Sequence, residues 1–136
     1  MAFGGTSFQQ ELAENVANFC ISELMPRIKT FDICIMLSDD MENADGYCLS
    51  RSNREFELEI DSRLKGEDFI SAICHEMVHV KQHARGELID KDFLTKIWKK
   101  AEYFAMYSTV DEYMALPWEA EAYTLQEELC SSFKEL

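Results

Sequence analysis

Residues 71 to 82 read SAICHEMVHVKQ, two histidines four apart, His75 and His79, with Glu76 directly after the first. How this stretch is read decides the rest of the chain. Ile70, Ile73, Met77, Val80 and Ala84 recur at three- and four-residue intervals, which predicts a helix over 67–84 with one apolar stripe. At 100° per residue, His75 stands roughly 140° from Ile70, off that stripe, and His79 stands one turn further along the same line. A histidine belonging to the core would sit in or beside the stripe; these two point together at something else.

Residues i and i+4 are neighbours on a helix surface, with Cβ atoms about 5–6 Å apart. Two imidazoles so placed can both reach one Zn²⁺ at ~2.0–2.1 Å. Glu76, one step round the helix, is badly placed to share the ion and well placed to hold the water that the ion polarises and to carry its proton. That is the logic of HExxH, which arises by chance in below roughly one percent of chains this short. A tetrahedral catalytic zinc needs a third protein ligand and an open position. His83 continues the four-residue spacing, but ~12 Å of helix rise separates it from His75, too far to close on one ion. His83 therefore reads as a surface histidine. Gln82 and Arg85 stand where the longer HExxHxxGxxH motif has its glycine and last histidine. The better source is LPWEAEAY, residues 116–123, where Glu119 and Glu121 both fall in the first turn of a helix opened by Pro117. Either carboxylate could instead serve the helix dipole.

HEMVH followed by a later helix carrying E-x-E-A resembles the gluzincin group of zinc metallopeptidases, and is similar in particular to compact SprT-like and IrrE-like cytosolic or phage-encoded peptidases. The resemblance spans roughly residues 31 to 125. It implies a zincin-like fold, one Zn²⁺ per chain held by His75, His79 and Glu119, Glu76 as the base, and a peptide or protein substrate. Glu121 would then be a supporting or surface charge. A transition-state donor is usual in this chemistry, and Tyr103, Tyr107, Tyr113 and Tyr123 are the choices. Two other readings stand beside it. One is a zinc-holding interaction module of the same fold without turnover. The other is a deformylase-like amide hydrolase, whose third ligand would be Cys48 in DGYCLS.

The surrounding chain reads as α+β. Phe8, Leu12, Val16, Phe19 and Cys20 predict a helix over 8–25 closed by Pro26. FDICIML (31–37), GYCLSR (46–51) and EFELEID (55–61) alternate as strands, the last with Phe56, Leu58 and Ile60 inward and its acidic residues, Asp61 included, outward. SDDMENADG between the first two is a loop. Phe93, Ile97, Ala101 and Phe104 predict a helix over 91–107, with Lys91, Lys96, Lys99 and Lys100 on its solvated face. Trp118, Ala122, Leu125 and Leu129 predict a last helix from Pro117. The expectation is one domain over 1–136: a few-stranded, mostly antiparallel sheet packed on about four helices, including the HExxH helix.

The 136 residues suffice for one sizeable core. A net charge of -13, from 13 basic and 26 acidic residues, repels nucleic acid and anionic membrane surfaces, so neither is an expected partner. Five widely spaced cysteines with no CxxC read as reduced, mostly buried thiols. With no leader pattern and no span-length apolar run, the expected compartment is the cytosol, or the host cytosol for a viral protein.

Overall fold

A computed structural model describes residues 1–136. The chain runs β1 (Ala2–Gly4), α1 (Ser7–Leu24), β2 (Asp32–Ser38), β3 (Gly46–Ser50), β4 (Glu55–Asp61), α2 (Glu67–Ala84), β5 (Leu88–Asp90), β6 (Thr95–Trp98), β7 (Ala101–Phe104), α3 (Val110–Ala115) and α4 (Pro117–Lys134). It is an α+β protein with four helices, and three of its five strand pairs are antiparallel.

The larger sheet has the order β1-β2-β4-β3. Its two parallel pairs, β1 with β2 and β2 with β4, arise because the loop after β2 carries the chain to the far edge, where β3 turns back on β4. Alternation sets which face is buried: Phe56, Leu58 and Ile60 lie at or below 2 % exposure, while Glu55 and Glu57 face water. Asp61 departs from the expected pattern. It is buried because Arg63 closes on it, donating from its side chain and its backbone amide.

Helix α1 starts at a capping box in which Thr6 and Gln9 exchange side-chain-to-backbone hydrogen bonds. Phe8, expected on its apolar stripe, stands exposed in the first turn. Helix α2 has acidic Glu67 and Asp68 at its start and Lys81 and His83 at its end, each favourable to the dipole. It packs against β3 and β4, and both α1 and α4 pack against it. Fourteen of its 18 residues are buried, so it is the centre of the domain and not a half-solvated surface helix. The Sγ atoms of Cys20 and Cys74 meet at 3.8 Å where α1 crosses it, and all five cysteines are free.

The expected helix over 91–107 is not there. The segment supplies two strands, β6 and β7, of a three-stranded antiparallel sheet completed by β5, with its own small core of Leu88, Trp98 and Trp118. Spacing alone misleads here, because Phe93, Ile97, Ala101 and Phe104 mimic a helical stripe. Phe93 is almost fully exposed, and Lys99 and Lys100 form the two-residue turn between β6 and β7 with φ of 48° and 74°. Two left-handed residues between paired strands make the turn that matches strand twist, a place where Asn-Gly is the usual signal. Lysine carries the steric cost there. Lys100→Gly is therefore expected to raise unfolding stability by about 1 kcal/mol. A denaturant titration in which it lowers stability would argue against this turn.

Candidate metal centre

Three side chains from two helices converge beside the larger sheet. His75 Nε2 lies 3.0 Å from Glu119 Oε1, and His79 Nε2 lies 3.2 Å from Glu119 Oε2. One ligand atom from each residue falls within 4.8 Å of the others. All three residues are buried, at 8 %, 8 % and 5 % exposure. Ligands of a tetrahedral zinc stand about 3.3 Å apart for bonds of this type, so the group could hold a metal ion with little movement.

The expected carboxylate is the one that faces the histidines. Glu119 and Glu121 are two residues apart, about 200° round a helix, so only one of them can face α2. Burial of Trp118 and Ala122 fixes the roll of α4 and turns Glu119 inward. Glu121 accepts instead from Lys81 Nζ and Gln82 Nε2, both at 3.0 Å. Cys48 is near the cleft but outside the converging group. Burial first, and Glu76 second, push its thiol up, toward the protonated form.

Two glutamines that carry no motif complete the centre. His79 Nδ1 meets Gln82 Oε1 at 2.8 Å, and His75 Nδ1 meets Gln126 Oε1 at 2.6 Å. The orientation of Gln82 is set independently, because its amide nitrogen donates to Trp118 O and to Glu121. Its oxygen must then accept, so His79 carries a proton on Nδ1. The lone pair on Nε2 is left facing a carboxylate, an arrangement that calls for a positive charge between them. In the protein alone a proton supplies it. Burial lowers the His79 pKa, but the hydrogen bond and charge of Glu119 more than reverse this and hold it up at about 9. Burial likewise raises Glu119, and the two imidazoles overcome it to hold the carboxyl down at about 2. Gln82→Leu, which keeps the bulk and removes the acceptor, is expected to weaken zinc binding by roughly 10–100-fold. Competition against a chromogenic chelator measures it; unchanged affinity would show that Gln82 does not orient His79.

Glu76 is 6 % exposed and lies beside the group without joining it. Burial raises its pKa, the two imidazoles pull it down, and Glu119 adds to the rise; the net direction is upward. Gly46 on β3 is its packing partner. A Cβ there would stand 3.1 Å from Glu76 Cγ, 3.0 Å from Ile60 Cδ1 and 3.1 Å from the Glu59 carbonyl. The missing side chain is what lets the strand run this close to the glutamate.

His79 and Glu119 open onto a cleft of about 240 Å³. Glu76, His79 and His83 line its floor, β3 forms one wall, and β5, β6 and the segment from Ala105 through α3 form the other. His83 is thus not a surface histidine. The smaller sheet covers this end of α2, the His83 ring sits 6.4 Å from Phe56, and burial lowers its pKa. The structure also sorts the tyrosines. Tyr123 packs on the His75 ring at 4.6 Å and Tyr103 on Trp118 at 5.9 Å. Tyr107 and Tyr113 line the cleft, with ring centroids 4.9 Å apart. Burial, with Glu119 beside it, pushes Tyr113 up.

Compared with known protein families, with curated proteins and with solved structures, the chain finds no match. No helix is long and apolar enough to cross a membrane.

Proposed function

We propose that this protein is a zinc metallopeptidase that hydrolyses peptide bonds in the cleft beside α2. His75, His79 and Glu119 hold the metal, Glu76 is the base, and Gln82 and Gln126 orient the two imidazoles. The observation that carries the reading is a buried His-His-Glu group, two of whose members, His79 and Glu119, line a cleft whose floor also presents Glu76. A structural zinc has no use for an unshared carboxylate at that place.

A bound zinc would supply Lewis acidity and lower the pKa of water at the site. The chain's residues do the rest. Glu76 takes a proton from the attacking water and returns it to the leaving amine. Tyr113, in the cleft beside Glu119, donates its hydroxyl to the oxyanion that develops on the carbonyl. Trp118 and Ala122 keep Glu119 aimed at α2.

The test is metal content and hydrolysis together. The purified protein, supplied with zinc, is expected to bind one equivalent and to cleave an unstructured protein such as denatured casein, with a chelator stopping cleavage and zinc restoring it. Zinc bound without turnover on any peptide would replace the peptidase with a metal-holding interaction module. No zinc bound at all would remove the metal centre.

A further inference from the structure

The cleft has one wall whose composition the metal centre does not explain. Nine of the sixteen exposed large hydrophobic side chains lie between residues 89 and 114. Helix α3 has no buried residue, and β7 is exposed throughout. Phe104, Met106, Tyr107, Val110 and Met114 stand between 40 % and 73 % exposed. Packing gives no reason for these residue types, and exposed apolar side chains gathered on one short segment mark an interaction site.

The patch continues into the cleft. Tyr107 and Tyr113 lie on the same segment and line the cavity over Glu119. Across the cleft the edge strand β3 contributes Gly46, Tyr47 and Cys48. Apart from the metal group and Glu76, the only His, Lys, Arg, Asp or Glu side chains lining the cleft are His83 and Lys96. Lys96 is already paired with Asp90. The cleft therefore offers no free charge to a charged side chain, in a chain whose net charge is -13. A flat protein face cannot follow apolar surface down into a cleft between two walls; an extended chain can.

Resting on the peptidase reading of the same centre, we propose that residues 105–116, which line the cleft through Ala105, Tyr107, Tyr113 and Leu116, are its selecting wall, and that its occupant is an extended polypeptide segment bearing large apolar or aromatic side chains. Folded proteins bury such segments. The substrate class is thus unfolded or unstructured protein cut beside Leu, Phe, Met or Tyr.

Binding tests this separately from turnover. The zinc-loaded Glu76→Gln protein is titrated into two fluorescently labelled peptides of equal length, one with Leu and Phe at its central positions and one with Ser and Glu. The apolar peptide is expected to bind on the order of ten-fold tighter, as burial of one large apolar side chain supplies. The double variant Ala105→Ser/Tyr107→Ser, which changes two residues that line the cleft, at unchanged zinc content and helix signal, is expected to lose most of that preference. Equal binding of the two peptides, or a preference that survives the double variant, overturns the proposal. So does a dimer in light scattering that the double variant converts to monomer, since the wall would then be an interface between copies. Wild-type turnover separates the two readings. Binding preference without cleavage keeps the wall and removes the peptidase. Cleavage that ignores the apolar residues keeps the peptidase and removes the wall.

Discussion

Glu76→Gln is expected to keep one zinc per chain and to lose turnover by roughly 10²–10⁴-fold, the range a positioned general base contributes. The amide has the shape of the carboxyl, so its contact with Gly46 is preserved. The metal ligands are complete without it, since His75, His79 and Glu119 converge on their own. Burial already disfavours the charged form of Glu76, so a neutral amide should leave the fold as stable as before. Zinc content by elemental analysis, thermal unfolding and kcat/KM on one peptide together make the measurement. Loss of zinc in this variant would mean that Glu76 is a ligand and that the base lies elsewhere.

Glu119→Gln is expected to weaken zinc binding by more than ~100-fold, because a neutral amide oxygen replaces the only anionic ligand. Glu121→Gln, two residues away and held by Lys81 and Gln82, should leave zinc bound. The same centre sets a pH dependence. His79 is raised above its ordinary 6.5 to about 9, so its contribution to metal-free stability is complete below about 6.5 and is lost as pH rises through about 9. Glu119 is lowered from its ordinary 4.5 to about 2, so its contribution is present above about 4.5 and lost as pH falls through about 2. Zinc competes with the shared proton, and its binding strengthens as that proton leaves. The gap in Tm between zinc-loaded and chelated protein should therefore widen from about pH 6 to about pH 9, and Glu119→Gln should close it. A gap independent of pH would show that zinc does not take the place of the proton between His79 and Glu119.

Much of the scaffold was legible from local pattern. Helix α2 and strand β4 fall where periodicities of 3.6 and 2 place them, and α1, β2, β3 and α4 lie within about a residue of the expected bounds. The failures have physical causes. Residues 91–107 carry helical spacing and a Lys-Lys turn in place of Asn-Gly, and only pairing with the strand from Leu88 makes them a sheet. Strand β1 is three residues long and exists because β2 offers it an edge. His83 looked solvated because its own helix turns it off the apolar stripe, and its cover comes from that same smaller sheet.

Gln82 was within reach of a sharper reading. It stands three residues after His79, a spacing at which side chains on one helix meet. Gln126 stands seven residues after Glu119, two turns along the same face of α4, but a glutamine in a helix interior has no signature that separates it from a surface residue.

By itself the sequence determined the donors that a single helix brings together, His75 and His79 one turn apart with Glu76 beside them, because i to i+4 geometry is local and survives any packing. Helix periodicity could not choose between Glu119 and Glu121, and only the resemblance favoured Glu119. That choice is the roll of one helix against another, and it was made by the burial of Trp118 and Ala122 far from α2 in the chain. The orientation of both imidazoles by amide oxygens, the approach of Gly46 to Glu76, and the apolar wall over the cleft are likewise contacts between distant segments. Only the folded chain holds them within ångströms.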